Sequence, residues 1–307
     1  MTVTTVRPAA PDEIELVLSV PSDTPHDLRA GWAAREYRPE WTWLALDGDT
    51  VVGRAAWWGW PDAEHPVLMD VLDLPDRPDA VEVGAALAAA GMARLVPPGT
   101  DRLVTLPAPR AWRDDPALGY VTRLRLAALE RAGLTLLVER ATFWWRDGGP
   151  VPPPSGRLVY RPVDEVGLDE LVDVVARCDE GTLDAHSRRC IERVGLRATA
   201  RAEVDEMLEF PGPTSWWRLG YTPDGETVGF VLPTVNARAH NVGFIGVVPE
   251  RRGRGYVDDL LGECTRLLVA EGAVEIVGGT DLANRPMAAA FRRAGYVESD
   301  RRRLDLV

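Results

Sequence analysis

The chain has 307 residues, 46% hydrophobic and 27% charged, with a formal net charge of -12. Such a length suits about two globular domains, and an acidic field of this size repels nucleic acid and favours small cationic partners. No apolar run approaches the roughly 20 residues needed to span a bilayer, and the N-terminus lacks a basic region followed by an apolar block, so a cytoplasmic protein with no membrane partner is expected. The odd set Cys178, Cys190 and Cys264 fits reduced thiols. Histidines at 26, 65, 186 and 240 lack metal-site spacing, so no metal is expected.

Thr5-Val-Arg-Pro-Ala precedes a helix predicted around Asp12 to Val20. Residues 41–46 and 50–58 read as strands joined by the tight turn Asp47-Gly-Asp49. His65 to Leu74 is a predicted strand, Ala80 to Leu95 an alanine-rich helix, and Arg102 to Leu106 a short strand. Tyr120 to Ala132 is an amphipathic helix stopped by Gly133, and Leu134 to Trp145 is a strand. This half holds nine of the eleven tryptophans, for which a structural role outweighs an aromatic substrate cage.

Asp147-Gly-Gly-Pro-Val-Pro-Pro-Pro-Ser-Gly156 cannot form a helix interior or a central strand. It reads as a linker (147–156) between domains at 1–146 and 157–307. The second half repeats the plan: a strand at Leu158 to Pro162, helices at Asp169 to Cys178 and Ile191 to Glu209, a strand at Trp216 to Tyr221, and the turn Asp224-Gly-Glu226 into Thr227 to Leu232. Arg7-Pro8 matches Arg161-Pro162, Val52-Gly53 matches Val228-Gly229, and Arg131-Ala-Gly133 matches Arg293-Ala-Gly295. A common order with loops of differing length indicates a tandem repeat.

Val242-Gly-Phe-Ile-Gly-Val-Val248 is a predicted buried strand ended by Pro249. Arg251-Arg-Gly-Arg-Gly255 follows, and the apolar spacing after Asp258 is helical to Val269. A glycine turn feeding a helix N-terminus offers unpaired backbone N–H groups to a polyphosphate. In the first half the corresponding Pro75-Asp-Arg-Pro-Asp79 has two prolines without N–H and two carboxylates that repel phosphate.

With Val247-Val-Pro-Glu-Arg-Arg-Gly-Arg-Gly255, Val274-Glu-Ile-Val277 and Asn284-Arg-Pro-Met-Ala-Ala-Ala-Phe-Arg-Arg-Ala-Gly-Tyr296 in this order, residues 225 to 296 resemble the GNAT superfamily of acyl-CoA N-acyltransferases. The resemblance implies an α/β protein of tandem GNAT-like domains, each a mixed, partly antiparallel sheet flanked by helices, the first degenerate. It implies acetyl-CoA as donor and a small-molecule amine as acceptor, which the acidic charge suggests is cationic. The backbone of Val247 and Val248 would then hold the pantetheine arm at a splayed strand. The N–H groups of Arg252, Gly253, Arg254, Gly255, Tyr256 and Val257 would hold the pyrophosphate, Asn284 matches the family's asparagine after the next strand, and Phe291 would lie on the helix beside the sulfur.

The sequence departs from the family pattern at three places. Val257 ends the turn where glycine or alanine is common, Phe291 replaces a tyrosine acid, and Asn241 stands near the usual strand glutamate. The base candidates are therefore His240, for which a surface or structural role outweighs the catalytic one, and Asp281, which is equally open to capping the next helix. Asp179, Glu180, Asp184 and His186 lie in a loop that would border the acceptor site, though a solvated charged loop is the preferred reading of them. The competing reading is a non-catalytic acyl-CoA-binding or sensory module. Cys264, on an apolar helix face, is not expected to be a nucleophile.

Overall fold

The computed structural model describes residues 5–23, 26–74, 76–100, 103–236 and 239–307. They fall into two compact units, one running to Glu139 and including Asp300–Val307, the other Arg140–Ser299. The first contains β1 (Thr5–Pro8), α1 (Ile14–Leu18), α2 (Leu28–Ala33), β2 (Thr42–Asp47), β3 (Thr50–Trp58), β4 (Leu68–Asp73), α3 (Ala80–Leu95), β5 (Val104–Pro109) and α4 (Tyr120–Arg131). Its strands lie in chain order, antiparallel except for the parallel pair β4–β5, and residues 301–306 pair antiparallel with β5. Gly48, at φ +61°, makes the tight turn between β2 and β3. Arg102, where a strand was predicted to start, lies outside the described residues.

Four tryptophans, Trp41, Trp43, Trp57 and Trp112, are buried in this unit's core with Leu87, Met92, Leu106 and Leu129. Gly91 on α3 makes room for one of them, since a Cβ there would lie 2.1 Å from the Trp57 ring. These aromatic side chains fill the space between sheet and helices, as the structural reading expects.

The strand β6 (Leu136–Arg146) leads into the second unit. There follow β7 (Val159–Pro162), α5 (Val163–Val166), α6 (Leu168–Asp179), α7 (Ala185–Val194), α8 (Leu196–Glu209), β8 (Arg218–Tyr221), β9 (Thr227–Val235), β10 (His240–Val247), α9 (Tyr256–Ala270), β11 (Glu275–Asp281), α10 (Arg285–Arg293) and β12 (Val297–Leu306). The order β7-β8-β9-β10-β11 repeats that of the first unit, again with one parallel pair, β10–β11, and an antiparallel strand beyond it, here residues 140–146 of β6. The three matched sequence pairs fall at the ends of β1 and β7, within β3 and β9, and at the ends of α4 and α10.

The division between units does not fall at 147–156. Residues Arg140–Arg146 pair along β11 from Asp281 to Glu275, so they belong to the second sheet, and the chain re-enters the first beside β5. Nor is 147–156 a free tether: the Trp145 indole donates to Pro150 O at 2.8 Å and Arg266 to Pro152 O at 2.7 Å. Composition marks where regular structure stops, but it does not say which sheet the flanking strand joins. The helix predicted over 191–209 is two helices, α7 and α8, because Gly195 at φ +86° breaks it. Among the described residues no helix is long and apolar enough to cross a membrane, and no cluster of three His, Cys, Asp or Glu could hold a metal.

Candidate functional site

In the second unit β10 touches β11 only at its start. His240 and Asn241 pair with Ile276 and Val277, after which the ladder ends. The cause is a bulge at Gly243, whose φ of +67° brings the chain so close to β9 that a Cβ would lie 2.0 Å from Leu232 O. From Phe244 to Val247 the strand stays paired with β9 alone, leaving its other edge open to a ligand.

Beyond β10, a 3₁₀ turn at Pro249–Arg251 leads into Arg252-Gly-Arg-Gly255. Gly253 and Gly255 both take positive φ, and Gly255 is the left-handed N-cap of α9 with no side chain to cap it. By helix geometry the N–H groups of Tyr256 and Val257 have no carbonyl within the helix to bond, and the helix dipole adds positive potential. The first-turn carboxylates that would oppose an anion are already paired: Asp258 with Arg293 at 2.7 Å, Asp259 with Arg157 at 3.0 Å. Arg157 also donates to Arg254 O at 2.7 Å and lies over the Tyr256 ring, so it brings positive charge to the turn.

A cavity of about 420 Å³ opens against this turn. Of the residues expected in the site, Val247, Arg252, Gly253, Gly255, Tyr256, Val257 and Asn284 line it. Three others do not. Val248 is buried in the core between α6 and β9, and its backbone is spent, N–H on Val228 O and carbonyl on Arg251 N. Phe291 is 1% exposed and stacks on Phe143 at 4.9 Å. Arg254 is exposed, outside the lining. The Arg252 N–H is also used, in a turn to Pro249 O, while its guanidinium binds the carbonyls of Val247, Glu180 and Cys178. Arg252 therefore fastens the turn to the loop after α6 and offers no free backbone N–H.

Neither base candidate lines the cavity. His240 stands at the opposite end of β10, seven residues or about 20 Å from Val247, beside the Trp216 ring. Asp281 lies five residues beyond Ile276, the partner of His240, and with the one extra residue of the bulge in β10 comes level with about Gly246 at the open edge. It does not cap α10. Asn284 does, accepting from Met287 N at 3.2 Å. The buried Asp281 carboxylate accepts from Ala185 N at 2.7 Å and faces Arg140 at 3.4 Å. Burial, with the nearby charge of Asp184, raises its pKa. For Asp184, burial is outweighed by Arg140 and the N–H groups of Ser187 and His186, and its pKa is lowered.

Sequence reasoning missed Cys178, Gly181–Leu183, Pro286 and Met287 in the cavity wall, and Arg157 at the turn. Met287 was within reach, one turn after Asn284 on the same helix. Burial pushes the Cys178 and Cys264 thiols up, so neither is an activated nucleophile.

The first unit has the same open strand edge but fills it. Beyond Met69–Val104 no pairing of β4 with β5 is seen among the described residues, and Arg125 from α4 donates to Leu72 O and to Asp73, which Arg54 also binds. Arg125 stands six residues before Arg131, as the cavity residue Met287 stands six before Arg293. At the N-terminus of α3, Asp79 pairs with Arg77 where α9 has Gly255. Pro75 lies outside the described residues.

The model of the Acetyltransferase (GNAT) family matches residues 185–296. The fold resembles a GCN5-related N-acetyltransferase from Sphaerobacter thermophilus, at 18% identity and TM-score 0.58 over 99% of this chain and 95% of that one. An acetyltransferase of the GNAT family from Colwellia psychrerythraea gives 13%, 0.51 and 98% of both chains. The glucosamine N-acetyltransferase region of a fungal multi-domain GH3 β-N-acetylglucosaminidase gives 14% and 0.60, over all of this chain and 38% of that one. These likenesses run through both units. Residues 185–296 thus match the GNAT acetyltransferase family, and the fold of the chain is similar to that of GNAT N-acetyltransferases.

Proposed function

We propose that the protein is a cytoplasmic N-acetyltransferase that moves an acetyl group from acetyl-CoA to an amine, probed first with small cationic acceptors because the chain is acidic. The observation that carries this reading is the uncapped glycine N-terminus of α9 opening on the same cavity as the free edge of β10. Backbone N–H groups fixed there suit a pyrophosphate, with Tyr256 and Val257 as donors and Arg157 nearby. The donor supplies the thioester. The open edge from Phe244 to Val247 orients it, fixed backbone dipoles being the usual aid to acyl transfer.

An alkyl ammonium must lose a proton before it attacks. Asp281 is the better placed candidate, level with the open edge and with its proton affinity raised by burial. Asp281→Asn is expected to cut turnover at least about tenfold, the low end for a general base, with little change in acetyl-CoA affinity.

The experiment is calorimetric titration with acetyl-CoA, followed by assay of free CoA released with a panel of amines from neutral to alkaline pH. Binding with release supports the enzyme. Binding without release on any amine supports the second reading, a non-catalytic acyl-CoA-binding module, which the core position of Phe291 and the absence of both base candidates from the cavity lining favour. No binding ends both.

A further inference from the structure

Asp179 ends α6 and is 3% exposed; Glu203 reaches it from α8. Their side chains interact directly, yet Asp179 Oδ2 and Glu203 Oε2 are buried with no hydrogen-bond donor unless one carboxyl carries a proton. Ser187 Oγ donates to Glu203 Oε1 at 2.6 Å. The other charged groups around the pair do not relieve it. Asp184, the N-cap of α7, adds negative charge, and Arg140 is paired with Asp184 and Asp281. His186 acts on Asp184 and Asp281, while the Arg252 guanidinium near Asp179 is bonded to three carbonyls. Asp179 also sits at a helix C-terminus, where the dipole disfavours an anion.

Two carboxyls so placed close on each other only by sharing a proton. The residues directly after Asp179 form the cavity wall, Gly181, Thr182 and Leu183, and Arg252 ties Cys178 O and Glu180 O to the glycine turn. We propose that the Asp179–Glu203 pair is a proton-held latch that positions this wall and turn, so that the cavity's affinity for coenzyme falls when the shared proton leaves. The latch rests on reading the cavity as a coenzyme site.

Burial raises both groups: Asp179 to about 6, the hydrogen bond with Glu203 lowering it and the charge of Asp184 raising it, and Glu203 to about 9, with the charge of Asp179 adding to burial. A carboxyl whose folded value is raised stabilises the fold below its unfolded value, and that stability is lost as pH rises through the folded one. The stability due to the pair thus declines with rising pH, the Asp179 part from about pH 3.8 to about pH 6 and the Glu203 part from about pH 4.5 to about pH 9.

The full chain is titrated with acetonyl-CoA, a stable thioether analogue, between pH 6.5 and 10, alongside Glu203→Gln and Asp179→Asn, either of which keeps a neutral hydrogen bond in the pair. Wild-type Kd is expected to rise about tenfold per pH unit above the pair's titration, while the Glu203→Gln curve stays flat and the Asp179→Asn curve, with Glu203 less raised, turns up at lower pH. A rise of equal steepness in wild type and Glu203→Gln overturns the latch. Absence of wild-type binding at pH 7 instead overturns the coenzyme reading, and the pair is then read without ligand. Hydrogen exchange of residues 180–187, compared with Glu203→Gln at the same pH, must be faster in the wild type above pH 9, and wild-type Tm must fall more steeply from pH 5 to 9. Equal exchange and equal Tm profiles overturn the latch.

Discussion

Gly255 meets two demands at once: a φ of +78°, and an open face where a side chain would reach toward Arg157 and Asp258. Gly255→Asp is expected to raise the Kd for acetyl-CoA at least about tenfold through charge repulsion at the helix N-terminus. The left-handed conformation adds a stability loss of about 1–2 kcal/mol, which chemical denaturation checks. In the first unit, Arg125→Met is expected to cost about 3 kcal/mol or more, read in the same way, since Asp73 would keep only Arg54 in a buried site. What the sequence conveyed at this scale was which residue types surround the turn. It could not convey that Val248 and Arg252 had already spent their N–H groups on Val228 and Pro249, because hydrogen-bond accounting needs the neighbouring strand and turn. Nor could it convey that Phe291 would stack on Phe143 from a strand of the other repeat.

The cavity owes its existence to the early end of the β10–β11 ladder, and that end traces to the bulge at Gly243. Gly243→Val places a branched side chain against Leu232 O in a conformation valine avoids. It is expected to lower stability by about 2 kcal/mol or more and to weaken coenzyme binding in the fraction that folds, measured by denaturation and calorimetry. The helices α3 and α4 and the turn into β3 were legible, because apolar spacing and turn residues are local signals. The strand β12 was not, since its middle, Ser299-Asp-Arg-Arg-Arg303, is charged and only Leu304 and Leu306 report a core. The division of α7 from α8 turned on a single glycine inside a helical pattern, a signal that periodicity averages away.

Each sheet is completed by a strand from the other sequence repeat, β6 in the second unit and the end of β12 in the first. The repeat was legible in the matched pairs, whereas the exchange was not, since strand pairing depends on contacts about 130 to 200 residues apart in the chain. A fragment of residues 147–307 is therefore expected to expose the edge of β11 and to aggregate, while co-expression with residues 1–146 restores a soluble, coenzyme-binding complex. Size-exclusion chromatography of the two preparations checks this, and a monodisperse 147–307 fragment would contradict it. The same exchange sets a timetable on the ribosome. The second sheet has its outer strand before the rest of that sheet has been made, but the first must wait for about 160 more residues after Glu139 until Asp300–Val307 emerge. At bacterial-scale elongation that is roughly ten to thirty seconds with the edge of β5 uncovered, an interval in which a nascent-chain chaperone or a slow codon run has most to act on.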